Sequence, residues 1–169
     1  TWKGNEFNVR TVCHPAQDMI SAHIDSHLHT GIKFHFPYPT GIHTDNACDW
    51  DANDKHSTEV LKQDTQSAVL KRTLDSTVYY VELKWEGKAL LKEKEKNYFV
   101  LLPQEDAFSF SCAFTANEPD QLTVLPDFFE VESLAKNHWV NFWEEGAAVD
   151  FSHCTDPRAK ELERRVVLS

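Results

Sequence analysis

The stretch "STVYYVELKW", residues 76–85, decides the fold class because its side chains alternate between two faces. One face is aromatic or aliphatic throughout and carries Tyr79, Val81, Leu83 and Trp85. The other face is mixed and carries Val78, Tyr80 and Glu82. A period of two residues is that of a strand, and an apolar face is the one that a strand buries. The stretch therefore predicts a strand whose two faces carry these two sets of side chains.

Similar segments lie on both sides of this strand. They are "FNVRTVCH" (7–14), "MISAHIDS" (19–26), "GIKFHF" (31–36), "AVLKRTLD" (68–75), "KALLKE" (88–93), "NYFVLLP" (97–103) and "AFSFSCAF" (107–114). The pair Glu86-Gly87 predicts a hairpin turn after residue 85. Many short strands with no helices between them predict a mainly β fold of antiparallel sheets packed as a sandwich.

One long connection, residues 37–60, interrupts the series of strands and is predicted to be a loop. Connections of this length in compact domains are usually functional. Trp50 lies in it between Asp49 and Asp51, and Tyr38 lies near its start. Aromatic faces stack on sugar rings and carboxylates accept sugar hydroxyls. Tyr38, Asp49 and Trp50 are therefore candidate carbohydrate-binding residues.

A helical pattern replaces the strand pattern after about residue 127. "SLAKNHWVNFWEEG" (133–146) predicts a helix that Ser133 begins and Gly146 ends. Its predicted apolar stripe consists of Leu134, Ala135, His138, Trp139, Phe142 and Trp143. After an extended link, "DPRAKELERRVVLS" (156–169) predicts a second helix with Thr155 or Asp156 at its start. This helix ends in an apolar run without a closing residue, so we expect it to pack against something outside the chain.

Composition excludes several classes of function. The chain has 169 residues and a net charge of −10, which argues against nucleic-acid binding. No apolar run approaches the length of a membrane span, so we expect a soluble protein. No secretory signal opens the sequence, and a periplasmic or secreted location would require that a signal peptide has been removed.

The four cysteines form no CxxC pair, so we expect free, mostly buried thiols. No cofactor is expected.

Two segments contain residue types that bind metal ions. His23, His27, His29 and His35 lie close together in sequence, but their spacing does not set a zinc geometry, and exposed histidines are the favoured interpretation. "DWDAND" (49–54) begins like a calcium loop, yet Asp54 replaces the turn glycine and Val60 replaces the last glutamate. No metal is predicted, and calcium binding by residues 45–54 stays open.

The stretch "HWVNFWEEGAAVDFSHCTDPRAKELERRVVLS" (138–169) resembles bacterial and fungal six-hairpin glycosidases related to glycoside hydrolase family 65. The resemblance continues upstream through "NVRTVCHPAQDMISAHIDSHL", "FHFPYP" and "LKRTLDSTVYYVELKW", and so covers most of the chain in order. In those proteins an N-terminal β super-sandwich, of the galactose mutarotase-like type, precedes linker helices and an (α/α)6 barrel.

The resemblance implies three parts: a β-sandwich (1–126), a linker helix and link (127–150), and the start of a truncated barrel (151–169). The catalytic groups of such enzymes lie on later barrel loops, so no catalytic residue is expected here and the chain alone should be inactive. The resemblance also implies that Trp143 and Asp150 lie near the sugar pocket of the whole enzyme, although core packing and capping explain them equally well.

The expected function is therefore a non-catalytic part of an inverting glycosidase that acts on α-linked sugars. Its expected partners are carbohydrate, the missing barrel and, through the C-terminal helix, a second copy. Two alternatives stay open at this point: a free-standing carbohydrate-binding module, and an enzyme with a histidine metal site.

Overall fold

The computed structural model describes residues 2–3, 7–27, 31–43, 47–122, 124–146 and 149–168. The strands are β1 (Trp2–Lys3), β2 (Phe7–Cys13), β3 (Met19–Ser26), β4 (Ile32–His35), β5 (Tyr38–Pro39), β6 (Cys48–Asp49), β7 (His56–Gln63), β8 (Ser67–Leu74), β9 (Thr77–Glu86), β10 (Ala89–Glu95), β11 (Tyr98–Pro103) and β12 (Ala107–Thr115). The helices are α1 (Phe128–Glu145) and α2 (Ala159–Leu168).

The strands form two main antiparallel sheets, so the prediction of a mainly β, antiparallel fold is confirmed. The large sheet has seven strands in the order β1-β2-β3-β12-β9-β8-β7. The small sheet has three, in the order β10-β11-β4, and β5 and β6 pair separately. The last strand ends at Thr115 and α1 begins at Phe128, and the predicted division into domains at residues 126 and 150 stays a prediction.

The core lies between the two sheets, and β9 is central to it. Trp85, Leu83 and Val81 are almost fully buried on one face of β9. Phe99 and Leu101 of the small sheet belong to the same buried cluster. Burial of side chains of this size stabilises a fold by about 1.5–3 kcal/mol each, so this face holds the two sheets together.

The predicted hairpin at Glu86-Gly87 is wrong. β9 ends at Glu86, but the next strand begins at Ala89 in the small sheet. β9 is already paired with β8 on one side and β12 on the other, so no edge is left for β10. The connection therefore crosses between sheets, and Gly87 takes a φ of +79° at a point where a Cβ would lie 2.7 Å from Glu105 Oε2.

The predicted loop of residues 37–60 is partly strand. β5 and β6 pair within it, and residues 56–60 belong to β7, the edge strand of the large sheet. The sequence concealed β7 because the side chains that it buries, those of His56 and Thr58, are polar.

Helix α1 begins earlier than predicted, because its N-cap is Asp127 and not Ser133. The Asp127 carboxylate accepts a hydrogen bond from the Glu130 backbone N–H, and the Glu130 carboxylate accepts one from the Asp127 N–H, each at 2.9 Å. This reciprocal capping box satisfies two N–H groups that a helix start leaves unpaired. The predicted end is confirmed, since the Gly146 N–H donates to the Phe142 carbonyl.

Only the first half of α1 packs on the sandwich. Phe128, Val131 and Ala135 are buried, and α1 contacts β2, β3 and β12 on the face of the large sheet that points away from the small sheet. The Arg10 guanidinium lies 4.9 Å from the centre of the Phe128 ring and donates to Glu132 Oε1 at 2.9 Å. The predicted stripe is therefore buried only at Ala135, and its other members are not in the core.

Helix α2 begins at Ala159, later than the predicted start at Thr155 or Asp156. The Asp156 carboxylate accepts a hydrogen bond from the Arg158 backbone N–H at 2.8 Å, in the turn that precedes the helix. Ala159 is the one buried residue that the structure describes on α2. Its exposed apolar side chains are Leu162, Val166, Val167 and Leu168. Neither α2 nor α1, over the residues described, has the length and apolarity needed to cross a membrane.

All four cysteines are free, as predicted, but the prediction that most are buried is wrong. Cys13, Cys48 and Cys154 are exposed, and only Cys112 is buried. Burial raises the pKa of the Cys112 thiol to about 12, so this cysteine stays protonated and is an apolar core residue.

Candidate functional site

The short β5–β6 ladder brings three of the sequence-predicted site residues together. Tyr38 and Asp49 are directly paired across it, and Trp50 follows Asp49. The Tyr38 hydroxyl donates to the carboxylate of Asp75, at 2.9 Å to Oδ2. This hydrogen bond is the main reason why the pKa of Tyr38 is raised. The ladder is thus tied to the turn between β8 and β9.

Trp50 is the end of a row of three rings, which we call the aromatic strip: Trp50, His35 and Tyr98. The centroids of the Trp50 and His35 rings are 4.8 Å apart, and those of His35 and Tyr98 are 5.2 Å apart. His35 and Tyr98 face each other across β4 and β11, and Trp50 is 51% exposed. The strip offers an open aromatic surface on the outer face of the small sheet.

The candidate residues named from the sequence do not include His35 and Tyr98, although the sequence pattern does indicate the orientation of His35. In "GIKFHF" the apolar side chains alternate with Lys33 and His35, which places His35 on the outer face. The partner strand and its register cannot be read from alternation, so Tyr98 could not be placed beside His35.

Asp49 has a structural task in presenting Trp50. Its Oδ1 accepts hydrogen bonds from the backbone N–H groups of Asp51 at 3.0 Å and Ala52 at 3.2 Å. An aspartate that bonds to the backbone two and three residues later forms a tight turn. Asp49 therefore shapes the turn that carries Trp50, in addition to its predicted role toward sugar hydroxyls.

A buried polar group lies where β7, β8 and the β10–β11 turn meet, and we call its members Arg72, His56, Thr58 and Asn97 the Arg72 cluster. Arg72 is 1% exposed and Asn97 is 0% exposed. The Arg72 Nη1 donates to His56 Nδ1 at 2.7 Å and to Thr58 Oγ1 at 2.8 Å. Thr58 in turn donates to Asn97 Oδ1 at 2.9 Å. A buried charge must be hydrogen-bonded, and these contacts supply that need.

His56 is held in its neutral form by this arrangement. Accepting from Arg72 at Nδ1 requires an unprotonated Nδ1, which puts the ring proton on Nε2. Burial lowers the pKa of His56 most, the charges of Arg72, Lys96 and His35 lower it further, and Asp54 opposes them. The cluster is therefore intact only while His56 is uncharged.

We expect the stability of the fold to decrease as the pH falls below about 6.5, the ordinary pKa of histidine. Because the pKa of His56 is lower in the folded state, the unfolded state holds more protons in the window below that value. The contribution of His56 is fully present above the window and is lost as the pH falls through the lowered pKa. Urea unfolding between about pH 8 and about pH 5 measures this slope.

The matched control for this pH dependence is His56→Gln, which cannot titrate. Its free energy of unfolding should depend less steeply on pH than that of the original chain over the same range. Equal slopes for the two proteins would show that His56 is not the titrating group.

Trp143 and Asp150, the other two candidate residues, have local contacts in the described structure. The Trp143 ring packs edge-on against Phe142 at 5.3 Å in the exposed half of α1. Asp150 Oδ1 accepts from the Ser152 backbone N–H at 2.7 Å, a bond that lowers the pKa of Asp150. Neither contact joins them to the aromatic strip, and their implied place near a sugar pocket stays a prediction.

The histidines that were weighed as zinc ligands have separate partners. His27 Nδ1 lies 2.7 Å from Asp106 Oδ2, and His23 Nδ1 lies 2.8 Å from Ser109 Oγ. His29 lies outside the described residues, as does residue 45 of the calcium-like loop. Within the described part of the chain, no group of three or more His, Cys, Asp or Glu side chains is placed to hold a metal ion.

Comparison of the chain with protein-family models, with curated proteins and with solved structures finds no match. No relative therefore assigns a role to the aromatic strip or to the exposed helices.

Proposed function

We propose that this chain is the supporting, non-catalytic part of a carbohydrate-active enzyme of the six-hairpin glycosidase type. In this proposal the sandwich holds α1 and α2 against a helical catalytic barrel, and the aromatic strip binds sugar at the substrate entrance. The enzyme itself would be an inverting glycosidase that acts on α-linked sugars.

The observation that carries the proposal is the uncovered apolar surface of the two helices. On α1, Trp139 is 54% exposed, and Phe142 and Trp143 are each 45% exposed. On α2, Leu168 is 70% exposed. Tryptophan and phenylalanine bury large areas and dominate interfaces, and contiguous exposed apolar side chains mark interaction sites.

Two arguments indicate that the partner of α1 and α2 is helical: the shape of their exposed surface, and the resemblance of residues 138–169 to six-hairpin glycosidases. An amphipathic helix buries its apolar stripe most readily against other helices, by packing ridges into grooves. The exposed residues of α1 and α2 fall within the stretch 138–169 that resembles six-hairpin glycosidases, in which these segments meet a helical barrel. Both arguments concern the same residues and favour the same partner.

The catalytic part of the proposal is tested with the chain alone. Incubation with p-nitrophenyl α-glucoside should release no nitrophenol above the rate in buffer, because the proposed acid and base belong to the barrel. Release that follows the concentration of the chain would overturn the claim that it is non-catalytic.

We expect the double variant Trp139→Ser and Trp143→Ser to change the free energy of unfolding of the isolated chain by less than about 0.5 kcal/mol. Both rings are half-exposed, so their removal leaves no cavity. The same variant should reduce self-association, measured by light scattering after size-exclusion chromatography, because it removes the largest exposed rings of α1.

The control for this variant is the polar double change Lys136→Ser and Glu144→Ser on the same helix, which should leave self-association unchanged. If the two double variants associate alike, the aromatic residues of α1 are not a docking surface.

The second candidate function is a free-standing carbohydrate-binding module, and the exposure of Trp50 favours it. Such a module would bind sugar through the aromatic strip without needing any partner for α1 and α2. The two functions differ in one measurable respect: only the first requires that Trp139 and Trp143 become buried in the working protein.

A further inference from the structure

We infer that Arg72 is a positioning residue for the aromatic strip: it fixes both ends of the segment that carries Trp50, so that the strip can stack on a neutral pyranose of an α-linked oligosaccharide. The inference rests on the proposed carbohydrate function and names the residue on which that site depends. Arg72 itself, at 1% exposure, does not reach a ligand.

The start of the segment is held by the guanidinium directly. Arg72 Nη2 donates to the Pro37 carbonyl at 3.3 Å. The guanidinium carbon lies 5.0 Å from the centre of the Phe36 ring, a cation–π contact in a buried place. The residue before Phe36 is His35, whose ring is the central one of the aromatic strip. Arg72 therefore fixes the chain where it leaves β4.

The end of the segment is held by the same side chain and by Asn97. Arg72 Nη1 donates to His56 Nδ1 at 2.7 Å, at the first residue of β7. Asn97 Nδ2 donates to Asn53 Oδ1 at 3.3 Å, and the Phe36 backbone N–H donates to the Asn97 carbonyl at 3.1 Å. One buried cluster thus ties the two ends together, and Trp50 lies between them.

An arginine is suited to this task because its planar guanidinium presents five donors in fixed directions. Bonds to Pro37, His56 and Thr58 leave in different directions from one rigid group. No carboxylate of the described residues forms an ion pair with Arg72. Its charge is stabilised by hydrogen bonds to the Pro37 carbonyl and the His56 imidazole and by the Phe36 ring. Buried ionic groups are poor sources of stability, which favours a geometric reason for this one.

The test compares Arg72→Lys with the matched control Arg10→Lys. Arg10 also lies over a phenylalanine ring, but on the α1 face of the large sheet. The readouts are the indole N–H resonance of Trp50, assigned with Trp50→Phe, and the affinity for maltotriose, an α-linked trisaccharide. The indole resonance of buried Trp85 reports whether the fold is retained.

In Arg72→Lys we expect the Trp50 resonance to move toward that of a free indole and maltotriose binding to weaken about tenfold, with the Trp85 resonance unmoved. A lysine ammonium is a point charge and cannot hold both ends of the segment. Arg10→Lys should leave both readouts unchanged. An unmoved Trp50 resonance with unchanged affinity would overturn the positioning inference and leave the proposed function standing.

Two further outcomes are distinguished. If the original chain does not bind maltotriose, the carbohydrate proposal fails, and the Trp50 resonance alone then decides whether Arg72 positions the segment. If Arg72→Lys does not fold, His56→Ala decides, because it removes the bond by which Arg72 Nη1 holds the end of the segment. A Trp50 resonance that His56→Ala leaves unmoved would overturn the inference.

Discussion

Replacing Phe128 by alanine is expected to lower the free energy of unfolding by about 3–5 kcal/mol, the usual cost of removing a buried phenylalanine. Phe128 is 1% exposed at the first turn of α1. Its ring packs against His23 at 5.5 Å and lies beneath the Arg10 guanidinium. The alanine would leave a cavity between α1 and the large sheet and weaken the attachment of the helix.

The neighbouring residue gives the matched control, because Phe129 is the same side chain at 52% exposure. Phe129→Ala should cost less than about 1 kcal/mol, since most of its ring already faces water. Urea unfolding followed by circular dichroism measures both variants. Equal losses would contradict the orientation of α1 on which the docking proposal depends.

Replacing Asn97 by alanine is expected to cost about 3 kcal/mol, for two separate reasons. Asn97 has a φ of +63°, a left-handed conformation that costs a residue with a Cβ about 1–2 kcal/mol and that asparagine tolerates best. Its fully buried amide also bonds to Thr58 and Asn53, and a buried group that loses its partner costs about 1–3 kcal/mol.

Asn97→Gly separates the two reasons, because glycine accepts the positive φ but has no amide. We expect the glycine variant to be about 1 kcal/mol more stable than the alanine variant and still less stable than the original chain. Thermal or urea unfolding of the three proteins gives the order. Alanine and glycine variants of equal stability would show that the backbone conformation of Asn97 contributes nothing.

The strands whose buried side chains are apolar could be predicted from alternation, because burial there leaves a visible pattern. β9 is the clearest case, with Val81, Leu83 and Trp85 on its buried face. β7 could not be found in this way, because the side chains that it buries, His56 and Thr58, are polar. Their burial is tolerated only because a hydrogen-bonding partner from elsewhere in the chain compensates for the lost contact with water. That partner is Arg72, which belongs to a different strand.

The pairing of strands into sheets likewise could not be predicted from the sequence. The turn at Glu86-Gly87 has the composition of a hairpin, yet β9 and β10 lie in different sheets because both edges of β9 are occupied. The start of α1 was misplaced because Ser133 is an acceptable N-cap. Asp127 has the additional reciprocal bond with Glu130, which the "DFFE" spacing could have revealed.

The candidate site shows the same division between local and distant signals. Trp50, Asp49 and Tyr38 could be named because they are close in sequence and chemically suited to sugar. His35 and Tyr98 complete the aromatic strip through cross-strand pairing, and Arg72 fixes it through bonds to His56 and Pro37, which are 16 and 35 positions away. Contacts between residues so far apart in the sequence depend on the fold and produce no periodic pattern in the sequence.

The central proposal is that the exposed helices are covered in the working protein. Hydroxyl-radical footprinting with mass spectrometry measures this, by comparing the isolated 169-residue chain, dilute enough to be monomeric, with the same protein in the cells that make it. We predict that Trp139 and Trp143 are oxidised in the isolated chain and protected in the cells, while Trp50 is oxidised in both. Equal oxidation of Trp139 and Trp143 in the two samples would show that no partner covers these helices.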